Sequence, residues 1–145
     1  MSKANGWETG LLSLVFTNTA YTGLGDAGGL QATATAGSLY FSLHTADPGE
    51  AGDQTTSEIA YTSYARVAVA RDGASFTVTG NAVATDADTS FPAGSGGSGT
   101  ATHFGIGTAS SGAGKLLYKG ALSPTIVCGS GITPKILAGT VVTED

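Results

Sequence analysis

The sequence has little of what most enzymes and binding domains are built from. A single cysteine, Cys128, makes neither an internal disulfide nor a zinc cluster, and its neighbours Thr-Ile-Val mark it as a small buried hydrophobe. Six basic residues against eleven acidic ones give a net charge of −5, with no basic run, so the chain offers little to a phosphate backbone. The longest strongly apolar stretch, Leu11–Phe16, is broken by Ser13 and is far too short to span a bilayer. The opening residues, Met-Ser-Lys-Ala-Asn-Gly-Trp-Glu, carry no secretion signal. Together these absences imply a chain that folds in a reducing compartment and needs neither membrane nor nucleic acid.

What is abundant is small. Glycine, alanine, serine and threonine supply 80 of the 145 residues, and leucine, isoleucine, valine and phenylalanine only 29. Charged residues reach 12%, too few for a disordered chain. The composition implies one globular domain, 1–145, with a thin core that neighbours in an assembly would reinforce.

Trp7, Leu11, Leu14 and Val15 recur at helical spacing, which predicts a short amphipathic helix over Trp7–Phe16, with Asn5 as N-cap and Glu8 three residues on. Gly10 argues against it by about 1 kcal/mol relative to alanine. The Gly23–Gly29 run and residues 31–37 then read as a flexible glycine-rich segment, so that 1–37 is helix plus linker.

From residue 38 the period becomes two. Leu39, Phe41 and Leu43 face one way and Ser38, Ser42 and His44 the other, a half-buried strand. Further strands are expected at Ala65–Arg71 and Ser75–Thr79, joined as a hairpin by Asp72-Gly73, and near Asn81–Ala84. Others follow at Ala101–Thr108, Lys115–Leu122, Thr125–Cys128 and Pro134–Thr143. Seven to eight short strands with turn signals between them predict a mainly β chain: an antiparallel sandwich over 38–145, jelly-roll-like or immunoglobulin-like, behind a short N-terminal helix.

No motif assembles a catalytic, metal or cofactor site. Gly94-Ser-Gly96-Gly-Ser-Gly99 has the letters of a dinucleotide fingerprint, but a strand follows it where the mechanism needs a helix, so it reads as a mobile loop. Asp47, Glu50 and Asp53 lack the spacing of a calcium loop, and Asp-Pro-Gly is ordinary turn chemistry. His44 and His103 point away from the apolar strand face and read as surface or interface residues. No G-x-S-x-G elbow supplies a nucleophile.

The two arginines, Arg66 and Arg71, carry more information. Guanidinium forks suit carboxylates either across a subunit contact or as an internal clamp on the 47–58 loop, with Glu50 and Glu58 as partners. Tyr61 and Tyr64 lie beside them. Glu50, Glu58, Tyr61, Tyr64, Arg66 and Arg71 therefore form the candidate subunit interface, and Trp7 on the N-terminal helix is the rival anchor.

Leu43-His-Thr-Ala-Asp-Pro-Gly-Glu-Ala-Gly52, Ser57-Glu58, Tyr64-Ala-Arg-Val-Ala-Val69, Thr102-His-Phe-Gly-Ile106, Leu116–Leu122 and Ala138–Asp145 resemble, in order, a family of short virion proteins of tailed bacteriophages. The resemblance covers residues 39–145. It implies a structural component of the virion, not an enzyme, assembled in the host cytoplasm. Head and tail are both open to such a component. The main reading, on a compact chain without coiled-coil heptads and with a negative charge that does not attract DNA, is a capsid decoration or cement protein that binds the major capsid protein and stabilises the DNA-filled head. The other is a tail-fibre or tail-tip receptor-binding module, with tyrosines such as Tyr21, Tyr61 and Tyr64 offered to surface glycans. Both imply a homo-oligomer.

Overall fold

A computed structural model describes residues 2–25 and 29–144. In chain order it contains α1 (Asn5–Thr17), β1 (Ser38–His44), β2 (Val67–Ala70), β3 (Phe76–Thr79), β4 (Ala82–Thr85), β5 (Thr89–Ser90), β6 (Ser98–Gly107), β7 (Leu116–Gly129), β8 (Lys135–Ile136) and β9 (Val141–Thr143). The mainly β, antiparallel architecture with one short N-terminal helix is the one the residue periodicity implies. The described residues hold nine strands, distributed over three sheets ordered β2-β1-β6-β7, β3-β4-β9 and β5-β8. They fall into two compact units that the chain visits alternately. One comprises Met1–Ser38, Ala70–Asp88 and Leu137–Asp145; the other comprises Leu39–Val69 and Thr89–Ile136.

In the first unit, α1 packs on β3 and β4. The helix buries Glu8, Leu12 and Phe16, a face adjacent to the expected one, and the Phe16 ring meets Phe76 edge-on at 5.1 Å. Trp7, Leu11, Leu14 and Val15 are only half-buried. At Gly10 a Cβ would collide with the ring of Tyr21. That ring covers the Trp7 side of the helix, meeting the indole edge-on at 5.3 Å. Gly10 is thus a close-approach residue whose packing overrides its poor helix propensity. The N-cap is Ala4, with no side-chain cap, so Asn5 does not play that part.

The expected hairpin at Asp72-Gly73 does not form. β2 and β3 belong to different sheets, and Asp72 instead accepts hydrogen bonds at its side chain from the backbone of Ala74 and Ser75. An Asx turn of this kind reverses the chain without pairing its flanks. The actual hairpin joins β3 to β4, pairing Thr79 with Ala82 across Gly80-Asn81. Gly80, at φ +61°, supplies the left-handed first position that a two-residue loop needs. β9 adds to β4 with Val83 opposite Val142.

The described part of the glycine-rich segment is held at both ends. Tyr21 and Leu30 exchange backbone hydrogen bonds of 3.0 and 2.9 Å, and the Asn18 amide pairs with Thr33 through both its oxygen and its nitrogen. Residues 26–28 of the expected flexible run lie outside the described residues.

In the second unit, β1 pairs antiparallel with β6, Phe41 opposite Ile106 and His44 opposite His103. β6 in turn pairs with β7, which forms one edge of the sheet. Leu39, Phe41, Leu43, Ile59, Tyr61, Phe91, Phe104, Ile106, Cys128 and Ile136 make the core. β1 is not half-buried as its alternation suggests: Ser42 and His44 on the other face are fully buried too. The cover is the segment after β1, which folds back so that Ile59 N–H donates to Leu43 and Thr45 N–H to Ser57. Two expected strands, Lys115–Leu122 and Thr125–Cys128, are one continuous β7. Pro124 between them is tolerated because an edge strand need not donate on its outer side. The single strand expected over Pro134–Thr143 is two, β8 and β9, in separate sheets.

Candidate functional site

Arg66 sits at the centre of the residues expected to form an interface. Its side chain is 2% exposed, and its Nε and Nη2 donate to the two oxygens of Glu58 at 2.7 Å each, a bidentate fork. Nη1 donates to the Ala109 carbonyl at 3.0 Å and Nη2 also to Gly112 at 2.8 Å. Tyr64 donates its hydroxyl to Glu58 at 2.8 Å and accepts from Leu43 N–H at 3.1 Å. Burial pushes the Tyr64 hydroxyl well above its ordinary value, and the Glu58 carboxylate raises Arg66 further. Tyr61 is buried, donates to the Pro92 carbonyl at 2.7 Å and is pushed up to about 12 by burial. Of the two uses open to Arg66 from sequence, the structure shows the internal clamp. It fastens the 108–114 turn and the Glu58 end of the 45–59 segment to the sheet.

The same segment carries a second buried network that the motifs do not announce. Gln54 is fully buried, accepting from Ala109 N–H at 2.9 Å while its backbone N–H donates to Ala113. A Cβ at Gly107 or Gly114 would collide with its side chain, and one at Gly105 would stand 2.7 Å from both His44 Nε2 and Ser42 Oγ. Gly107 is therefore the imprint of the Gln54 loop lying on the sheet, and Gly105 of the Ser42–His44 pair on neighbouring β1. They are also the legible signal: the two glycines are two residues apart, at the Phe104–Gly107 end of β6.

His44 is not a surface residue. It is fully buried, with Nδ1 2.8 Å from the Thr56 carbonyl and Nε2 2.8 Å from Ser42 Oγ. Nδ1 donates to the carbonyl, and Nε2 is then the acceptor for the serine hydroxyl. Burial holds the imidazole below its ordinary value, keeping it neutral. A serine–histidine pair of this geometry is part of a nucleophilic site where solvent reaches it. Here both residues are wholly enclosed, so the pair fixes the loop. His103 is half-buried and hydrogen-bonds Thr102 at 2.9 Å.

Arg71 belongs to the other unit and does not meet Glu50 or Glu58. Its guanidinium donates to the carbonyls of Leu14, Val15 and Ala36 at 2.6, 2.6 and 2.9 Å. Leu14 and Val15 lie in the last turn of α1, where carbonyls lack helical partners and a cation is favoured. Trp7, the rival anchor, is half-buried against Tyr21.

Glu50 alone of the seven candidates is an exposed residue, its side chain 95% exposed. Lys119 of β7 reaches across to it and to Asp47, Nζ lying 3.1 Å from an oxygen of each. The Gly49 N–H and Lys119 hold the Asp47 carboxyl below its usual range, and the two carboxylates raise Lys119. These residues border an open cleft of about 250 Å³, lined by Gly49, Glu50, Gly52 and Leu116 to Lys119. Among the described residues no three carboxylate, histidine or cysteine groups converge on a point that would hold a metal ion.

The Gly94–Gly99 loop, expected to be mobile, is tied on two sides. Gly94 donates to Ile132 and accepts from Gly131, and Thr62 bridges to Gly96. A Cβ at Gly94 would strike the Gly129 carbonyl, so the glycine serves close backbone packing. Cys128 is buried, its thiol raised by burial. No helix among the described residues is long and apolar enough to cross a membrane.

Comparison with known families gives one match of nearly full length. The model of the family described as "Podophage GP4 fiber I protein gp80" covers residues 2–144. It takes in the N-terminal helix and glycine-rich segment as well as the stretch from residue 39 that carries the resemblance seen in the sequence. No curated protein matches the chain.

Proposed function

The chain belongs to the podophage GP4 fiber I protein gp80 family of phage virion proteins, and on that premise we propose that it is a fibre component, a receptor-facing module of the adsorption apparatus. The observation that carries this reading is the family match over residues 2–144, whose description names a fibre. The head-decoration reading rests on a compact chain, the lack of coiled-coil heptads and a negative charge. None of these distinguishes a shell from a fibre, so the family description favours the fibre.

The geometry supports a structural and binding role. Arg66, Tyr61, Tyr64 and His44 are all committed to internal hydrogen bonds, whereas Glu50 and Lys119 pair at an open cleft. In this reading the module has no catalytic part, and its partners are further copies of itself, the neighbouring fibre components and a cell-surface receptor. Many weak contacts presented together would give firm adsorption.

Competition tests the proposal. Purified chain, added to host cells before phage, is expected to slow adsorption in proportion to its concentration. Unchanged adsorption in that assay, together with normal adsorption by particles lacking the protein, would overturn the fibre reading.

A further inference from the structure

We propose that the cleft between the 49–52 turn and β7 is a saccharide site, selective for neutral or amino-bearing sugars over anionic ones. The inference rests on the receptor-facing reading above and supplies its ligand class and location.

The cleft is a built feature. Four consecutive residues of β7, Leu116 to Lys119, line one wall. Successive strand side chains point to opposite faces, so a wall of consecutive residues is the strand's edge, and β7 is an edge strand of its sheet. Such an edge presents backbone N–H and C=O groups on its outer side. The other wall is held in shape: the Asp47 carboxylate accepts from Gly49 N–H at 2.8 Å, Gly49 takes φ +74°, and Gly52 packs against the Pro48 carbonyl so closely that a Cβ would collide with it. Lys119, bonded to both Asp47 and Glu50, spans from one wall to the other. A turn whose backbone is ordered before binding reduces the ordering cost of taking a ligand.

The chemistry of these groups selects the ligand. A carboxylate only accepts hydrogen bonds and an ammonium only donates them, while a sugar hydroxyl does both. Vicinal hydroxyls can therefore satisfy the Glu50 oxygens, Lys119 and the strand edge together. Leu117, 39% exposed beside them, offers an apolar patch for the C–H face of a sugar ring. Glu50 and Lys119 line the cleft and Asp47, outside the lining, already pairs with Lys119, so the ammonium is neutralised and the local balance is net negative; this disfavours uronic, sulfated and phosphorylated sugars and favours an amino group beside Glu50. At about 250 Å³ it is smaller than a typical drug-sized pocket and accommodates one or two sugar rings. Of the tyrosines the sequence suggests for glycans, Tyr61 and Tyr64 are engaged inside the fold, and Tyr21 packs edge-on against Trp7.

Amide chemical-shift mapping of the whole chain with trimers of glucosamine, N-acetylglucosamine and galacturonic acid tests the proposal. The first two are expected to shift residues 49–52 and 116–119, with galacturonate leaving them unmoved. Glu50→Gln, at an exposed position that keeps the fold, is expected to weaken glucosamine-trimer binding by about tenfold. Silence with all three probes, shifts centred elsewhere, preferred binding of galacturonate, or an unaffected Glu50→Gln variant would each overturn it. So would sugar-independent, concentration-dependent shifts at 116–119, which would assign the edge to pairing between copies. The fibre reading fails separately, through normal adsorption by particles that lack the protein.

Discussion

The two ends of the 45–59 segment carry the same chemistry in opposite settings. At the Glu58 end a guanidinium grips a carboxylate with its side chain 2% exposed, joined by a tyrosine hydroxyl and two backbone carbonyls. At the Asp47–Glu50 end an ammonium bridges two carboxylates in solvent, Glu50 being 95% exposed. Removing one member of the first strands several buried polar groups at once, while removing one member of the second returns its partners to water. One end anchors the loop and the other is free to exchange its partners for a ligand.

The sharpest way to break the comparison is Arg66→Ala. It leaves Glu58, Ala109 and Gly112 without their donor and is expected to cost about 3–5 kcal/mol, read as a lower urea midpoint. Arg66→Lys should recover only a minor part, because an ammonium cannot reproduce the fork. An Arg66→Ala protein as stable as wild type would show that the clamp holds nothing.

Gly107→Ala comes next. Its Cβ would enter the space of the Gln54 side chain, and overpacking of this kind costs about 1–3 kcal/mol. Paired with Gln54→Ala, which vacates that space, the substitution should become far milder, and a double-mutant cycle measures the coupling.

Lowering the pH probes the same buried end with a smaller effect. Because burial depresses the His44 value, the unfolded chain takes up a proton more readily than the folded one. His44 thus contributes stability that is present above its ordinary value of 6.5 and is lost as pH falls through its lower folded value. Asp47 and Asp53, also held low, add their own loss only below about their ordinary 3.8. Urea midpoints measured from pH 7 to pH 5 should fall for wild type and stay flatter for His44→Asn, itself less stable throughout. At the exposed end, Lys119→Ala is expected to leave the midpoint within error of wild type.

The same contrasts separate what is legible in the amino-acid sequence from what only the folded chain decides. β1 is legible to its bounds, because Leu39, Phe41 and Leu43 alternate cleanly, but the fate of its other face is not. Alternation reports which side chains are apolar, and Ser42 and His44 are buried by a loop whose position depends on Arg66, Gln54 and two glycines far along the chain. Asp72-Gly73 has hairpin letters, yet a turn's composition does not say which strands it joins, and here β2 and β3 go to different sheets. The helix is evident from its spacing while its buried face is not: Leu12 and Phe16 are its buried apolar residues, and Trp7 packs on Tyr21. Arg66, Glu58 and Tyr64 do belong together. Composition alone does not tell an interface from a clamp, because both use the same guanidinium geometry. Glu50 falls among the arginines by composition, though its partner is Lys119.

The central claim, a place on the fibre, is tested most directly by locating the chain on intact particles. Gold-labelled antibody raised against the purified protein is predicted to decorate the fibres at the tail end of the virion and leave the head bare. Dense labelling over the head, with the fibres clear, would contradict the account and return the chain to the capsid surface.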